Sequence, residues 1–244
     1  MSGKLDEFVV DEEKRARREA ADARIMRIAE LNEKYEANDY HGEKGEGANY
    51  QVILGEVPVL VSAPHAVCQI RNGAVKERDG MTGGIVEYLC EELGVFGVTR
   101  LWEDGDDPNY AEDERSVAYR EEIAKLVKEH NIKWVFDIHG CLDKHGFDMD
   151  MGINDGQNVA CGKEEIERLA ENWRQRGVDA RIDEKFMAKR LYTVSNFVHR
   201  ETGVNCVQLE LNSKMRMSGE GFEKFFQGFR QCVESVRECD ILRV

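Results

Sequence analysis

VPVLVSAPHA, residues 57–66, decides how this chain is read. Residues 57–62 are valine-rich and apolar almost throughout. An unbroken apolar run of that length reads as a strand covered on both faces, the mark of a parallel sheet with helices on either side. Proline ends the run and a histidine, His65, stands at its tip. A buried strand gains nothing from a histidine there. In open α/β sheets, however, chemistry gathers outside the carboxyl ends of strands.

Working outward, the same grammar repeats. Residues 52–54 and 57–62 are β-rich with Gly-Glu between them, which predicts a hairpin. CQIRNGAVKERDG, 68–80, reads as a loop. Residues 82–92 form a helix with Ile85, Val86, Leu89 and Leu93 on its apolar face. VTRLW, 98–102, is a short strand, 111–130 an amphipathic helix, and KWVFDIHG, 133–140, a second buried strand with a histidine at its end. FDMDMGIND alternates apolar and charged residues, as a half-exposed strand or extended loop does. Residues 163–176 are helical, 180–182 a short strand, 191–199 ambiguous, 205–213 a strand, and 220–237 a helix burying Phe222, Phe225, Phe226, Phe229 and Val233. Strands alternating with helices predict one three-layer α/β domain with a mostly parallel, mixed sheet flanked by helices. Residues 1–45 stand apart as an N-terminal helical extension, and 46–244 form the domain. The extension, rich in Ala, Arg and Glu from 11 to 36, carries a narrow stripe of Ile25, Ile28, Ala29 and Leu31. That stripe can pack on the body of the chain or on a second subunit.

Composition removes several function classes. Acids outnumber bases 48 to 34, a net charge of −14, so a nucleic-acid surface, which needs a basic stripe, is not expected. No apolar run approaches the ~20 residues of a membrane span, and the charged N-terminus lacks the apolar core of a signal peptide. A cytoplasmic protein is expected. The seven cysteines are odd in number and include no CxxC, which argues for buried, reduced thiols rather than a disulfide framework. Cys68 and Cys141 lie near the two histidines and are thiol candidates for a ligand or nucleophile.

Three predicted strands end in candidate chemistry: His65 after 57–62, His139 closing 133–140, and Glu210 within VQLELN. Two neutral imidazoles and a carboxylate are a common catalytic Zn2+ set, with the fourth position open. The third ligand is sought in the loop after His65, where Asp79 and Glu77 compete. Asp79 directly precedes the helix at Thr82, where backbone N–H groups would hold it rigid; Glu77 lies in the flexible part. Asp137, two residues before His139, shares its face of the strand and is placed to orient it. Glu210 is a carboxylate in an apolar strand, costly to bury unless neutral or partnered. Beside an activated water it would serve as general base; an ion pair is the competing reading.

SAPHA, ERDGMTG, DPNY, DIHG, DMDMG and QLELN, in this order from about residue 49 to 229, resemble the N-formylglutamate amidohydrolase family, a branch of the zinc carboxypeptidase and aspartoacylase-like hydrolases. The resemblance implies a phosphorylase/hydrolase-like zinc exopeptidase architecture, a zinc ion at His65 and His139, and Glu210 as general base. It also carries a departure: the related enzymes place a glutamate three residues after the first histidine, and here that residue is Cys68. Their acid tends to precede a threonine by three, as Asp79 precedes Thr82, which favours Asp79 over Glu77. The implied substrate is a small N-acyl amino acid, whose carboxylates call for arginine. Arg71, Arg115 and Arg216 are the candidates, with Arg190 beside them. Gly152 and Gly156 are expected to shape a loop by the site. A carboxypeptidase-like enzyme acting on peptides, and a non-catalytic metal-binding scaffold, remain the alternative readings.

Overall fold

The computed structural model describes residues 2–110 and 114–241, with side chains described at 12–110 and 116–238. Seven strands form one mixed sheet in the order β1-β5-β2-β6-β9-β7-β8. They are β1 (Tyr50–Ile53), β2 (Val57–Ala63), β5 (Val95–Arg100), β6 (Trp134–Gly140), β7 (Met149–Gly152), β8 (Ala180–Ile182) and β9 (Asn205–Leu211). The central run β5-β2-β6-β9 is parallel, while β1 and β7 pair antiparallel to β5 and β9.

Side-chain parity on these strands builds the two cores. Val57, Val59 and Val61, with Phe136, Ile138, Val207 and Leu209, face one side. There they meet α2 (Thr82–Leu93), α4 (Lys163–Arg174) and the phenylalanine face of α7 (Gly219–Ile241). Leu60, Phe96, Val98, Val135 and Cys206 face the other side, against α3 (Glu114–Glu129) and α5 (Val194–Thr202). Each such side chain, fully buried, contributes about 1.5–3 kcal/mol. The helix α1 (Ser2–Tyr40) packs on α2 and α7 of its own chain, through Ile28, Asn32 and Tyr35 rather than Ala29, which is exposed. Gly83 and Gly84 let it come close: a Cβ at Gly84 would lie 2.4 Å from the Ile28 carbonyl oxygen. Among the described residues no helix is long and apolar enough to cross a membrane.

Two local expectations fail. β1 and β2 do not form a hairpin; β5 lies between them, antiparallel to one and parallel to the other. Gly55 sits so tightly on the backbone of Gly94 and Val95 that the intervening turn leads the chain past β5 instead of back on itself. The loop after His65 holds a small hairpin, β3 (Gln69–Arg71) with β4 (Ala74–Lys76), turned by Asn72 and Gly73 at φ 53° and 77°. Left-handed Asn-Gly is the sequence signal for that turn.

The sheet order also fixes where a site can be. From β2 the chain crosses to β5 on one side; from β6 it reaches β9 on the other. The tips of β2 and β6 therefore flank a switch point, where the connections diverge and leave a crevice. Ser62, Asp137, His139, Gln208 and Glu210 share the parity of the α3/α5 face and run to the carboxyl ends of these strands.

Candidate metal centre

His65 lies two residues beyond β2, and its carbonyl accepts the Asp79 N–H at 2.8 Å, so the β3–β4 hairpin returns Asp79 to the strand tip. Thr82 locks the return: its N–H and hydroxyl both bond the Asp79 carbonyl, at 3.2 and 2.6 Å. The expected capping role for Asp79 is not found. The N-cap of α2 is Met81, left-handed at φ 71° with no side-chain cap. The Asp79 carboxylate points instead at the imidazoles.

The result is a triangle of donor atoms. His65 Nδ1, His139 Nδ1 and Asp79 Oδ2 lie 3.1 Å from one another on all three edges. Metal–ligand bonds of 2.0–2.2 Å in a tetrahedron give edges of about 3.3–3.6 Å, so the three atoms already sit near the spacing a small divalent cation imposes. All three residues are at least nine-tenths buried. Each outer ring nitrogen meets a carboxylate: His65 Nε2 is 2.9 Å from Asp107, and His139 Nε2 is 2.9 Å from Asp137. With the hydrogen on Nε2, as in a metal-bound imidazole, each ring would present the lone pair of Nδ1 to an ion beside Asp79. Asp137 is held in turn by the Ser62 hydroxyl at 2.6 Å, and Asp107 by Arg71 at 2.6 and 2.9 Å.

The electrostatics ask for positive charge. Burial alone would raise Asp79, but bonds from His139 and His65 outweigh it and hold the carboxyl well below the usual range. Burial alone would lower His139, yet Asp137 and Asp79 hold it well above the ordinary imidazole value. Asp107 behaves like Asp79, its burial outweighed by His65 and Arg71. A proton on the imidazoles or a cation in the triangle answers the same demand. The donor set fits a metal ion.

Glu210 stands beside this group. On adjacent parallel strands it is in register with His139, and Gln208 donates to its Oε1 at 3.0 Å. Burial pushes its carboxyl up to about 7, within reach of a neutral-pH proton transfer. These groups open into a cleft of about 840 Å³, whose rim carries Arg71, Lys76, Lys185, Lys189 and Arg190. In a chain of net charge −14, that rim is a local inversion of sign. A second cavity, of 630 Å³, opens at the other ends of β6 and β9 and has no histidine in its lining.

The other sequence-predicted residues scatter. Glu77 is exposed and paired with Arg78 at 2.7 Å, away from the triangle. Arg216 does not line the cleft; its guanidinium is spent on the carbonyls of Leu211, Gly80 and Cys141. The Arg115 side chain lies outside the described residues. Arg71 and Arg190 flank the Tyr110 ring, at 4.2 and 5.3 Å from its centre, and both face the cleft. Cys141 also lines the cleft, but burial pushes its thiol up to about 12, which leaves it protonated and unfit as a nucleophile. Cys68 is buried outside the cleft lining. Sequence reasoning missed Asp107 and passed over Gln208. The signal for Asp107 was present in DPNY, a carboxylate locked before proline, given that each metal-bound imidazole needs a partner for its second nitrogen.

Fold and site together define an α/β protein with a buried His-Asp-His group, able to hold a metal ion, at the switch point of a mixed sheet. No protein-family model matches the sequence, and no curated protein does. Among solved structures, the chain shares its fold with N-formylglutamate amidohydrolase from Ralstonia eutropha JMP134, at TM-score 0.56 and 13% identity, over 79% of this chain and 99% of that one. A bacteriophage poly-gamma-glutamate hydrolase aligns at TM-score 0.47 and 14% identity, over 82% and 94%. A Pseudomonas aeruginosa metallo-carboxypeptidase aligns at 0.44 and 13%, over 82% and 60%. The fold assignment rests on the first of these.

Proposed function

We propose that this chain is a zinc-dependent amidohydrolase acting on small N-acyl amino acids, N-formyl substrates among them, with residues 46–244 as the catalytic domain. The observation that carries the reading is the 3.1 Å triangle of His65, Asp79 and His139, each imidazole backed by its own carboxylate, beside Glu210. These three residues would hold the ion, which when bound supplies Lewis acidity, acidifying water and drawing electron density from a carbonyl oxygen.

The chain's own groups then divide the work. Glu210 takes a proton from the attacking water and returns it to the leaving amine nitrogen. Its burial gives it the proton affinity for both halves, and Gln208 fixes one of its oxygens so that the other is free for transfer. Asp107 and Asp137 keep both imidazoles in one tautomer through the cycle. The cationic rim binds a substrate carboxylate and orients the amide, with Arg190 offering a flat bidentate fork and Arg71, whose Nε and Nη2 hold Asp107, its remaining donors.

The test is a metal analysis of purified and reconstituted protein, followed by a panel of N-formyl, N-acetyl and dipeptide substrates. One tightly held zinc per chain is expected, with N-acyl amino acids cleaved faster than dipeptides. Glu210→Gln is expected to keep the zinc and lose about 10²–10⁴-fold in turnover. A chain that takes up no stoichiometric zinc and cleaves nothing in the panel overturns the proposal.

A further inference from the structure

We propose that Arg216 is a positioning residue of the metal centre: its guanidinium ties together the three backbone segments that carry Asp79, His139 and Glu210. The inference rests on the metal-centre reading above and extends it to a residue that touches neither the cleft nor the triangle.

After Glu210 and Leu211 the chain leaves β9 at Asn212. The Asn212 side chain accepts the Met215 N–H at 3.1 Å and donates to the Phe147 carbonyl at 2.7 Å. This turns the short helix α6 (Ser213–Met217) sharply and carries Arg216 back beneath the strand tips. There the side chain is 94% buried, being 6% exposed. Its Nε donates to the Leu211 carbonyl at 3.0 Å, Nη2 to the Cys141 carbonyl at 3.4 Å, and Nη1 to the Gly80 carbonyl. Gly80 follows Asp79, Cys141 stands two residues after His139, and Leu211 follows Glu210.

The sequence clears room for this fork. A Cβ at Gly140 would lie 2.6 Å from the guanidinium carbon. The Leu211 carbonyl also accepts the Cys141 N–H at 2.9 Å, so the tips of β6 and β9 are joined to each other as well as to Arg216. Among the described residues Arg216 makes no ion pair. A lysine cannot reproduce the three carbonyl bonds: an ammonium is a point donor, whereas guanidinium presents donors in a fixed plane on three sides.

The experiment measures metal affinity rather than turnover. Zinc binding is titrated against a chromophoric chelator, and the visible spectrum of the cobalt-substituted protein reports ligand geometry. Wild type is compared with Arg216→Lys and with Arg216→Ala, the latter with and without added methylguanidinium. Far-ultraviolet circular dichroism of the metal-free proteins checks the fold. Arg216→Lys is expected to bind zinc about 10–100-fold more weakly, the scale for losing a residue that orients ligands, and to show a shifted cobalt spectrum. Methylguanidinium is expected to restore at least part of the affinity and spectrum to Arg216→Ala. In turnover, kcat falls while KM for the acyl amino acid stays near wild type. A folded Arg216→Lys protein with wild-type affinity and cobalt spectrum overturns the proposal. So does a failure of both variants to fold, which makes Arg216 a stability residue. If wild type itself binds no metal, it is the underlying metal-centre reading that fails.

Discussion

Replacing Asp107 by asparagine probes the support of the proposed centre without touching a candidate ligand. Asp107 is fully buried, and among the described residues every hydrogen-bond partner of its carboxylate is a donor. Its Oδ1 faces His65 Nε2 at 2.9 Å and the Asn109 N–H at 3.0 Å; its Oδ2 faces Arg71 at 2.6 and 2.9 Å. Asparagine brings one acceptor oxygen and one NH2. Whichever way the amide turns, an NH2 meets either the imidazole N–H or the guanidinium, donor against donor. With the oxygen kept on His65, Arg71 loses its charge-assisted bonds, each worth about 1.5–3 kcal/mol, and swings away from the centre. Asp137 differs. Among the described residues its carboxylate hydrogen-bonds only His139 at 2.9 Å and the Ser62 hydroxyl at 2.6 Å. A hydroxyl can reverse and accept from an asparagine NH2, so Asp137→Asn keeps both bonds and loses only charge. Loss of a ligand's outer partner weakens metal binding by about 10–100-fold. Asp107→Asn is expected at the upper end, about 100-fold or 2.7 kcal/mol, and Asp137→Asn at the lower, about tenfold. Chelator competition at neutral pH on both variants and wild type measures this. Equal losses, or a larger loss at Asp137, refute the donor count on which the order depends.

Other expectations are independent of that one. The Asp148 carboxyl, raised by burial but pulled lower by Lys214, the Asp179 N–H and Asn212, lies below its usual value. A depressed carboxyl contributes stability above its unfolded pKa of about 3.9 and loses it as pH falls. The stability gap between wild type and Asp148→Asn should therefore be present at pH 7 and close on acidification, as urea titrations at several pH values will register. Arg190→Gln is expected to raise KM for an anionic substrate about two- to fivefold, the scale of an exposed charge pair, with kcat held and the difference fading as salt is added. In α2, Gly84→Ala gains about 1 kcal/mol of helix propensity but drives a Cβ to 2.4 Å from the Ile28 carbonyl oxygen. Overpacking of about 1–3 kcal/mol should win, lowering the denaturation midpoint. Trp173→Ala, which empties a fully buried site against Phe225 on α7, is expected to cost about 3–5 kcal/mol by the same assay.

The parts of this protein legible in its sequence are those written by local pattern. The strands carrying His65, His139 and Glu210 announce themselves because a strand buried on both faces must be apolar throughout, and any polar residue in it stands out. Asp79 is legible by its distance from Thr82, although its carboxylate turns to the two imidazoles rather than capping the helix. What stays hidden is pairing across the chain. Nothing local places β5 between β1 and β2, since both neighbours of a hairpin-like Gly-Glu look alike from within. Asp107 reaches His65 across 42 positions of sequence, through a loop joined to the β3–β4 hairpin by the Ile70 N–H and the Asp106 carbonyl. Arg216 reads as a substrate arginine because nothing in its surroundings declares that a five-residue helix will fold it beneath the sheet.

The proposed centre is assembled from residues scattered between positions 65 and 216, and no two of its three candidate ligands lie within one turn or one strand. A fragment of the unfolded chain offers a metal ion little more than single imidazoles. Binding therefore belongs almost wholly to the folded state, and the ion's affinity becomes part of the folding equilibrium: at a thousandfold excess over Kd it adds about 4.1 kcal/mol. On the proposed metal-centre reading, a chelator and a denaturant would pull on the same balance, and the midpoint of unfolding should move with the free metal concentration.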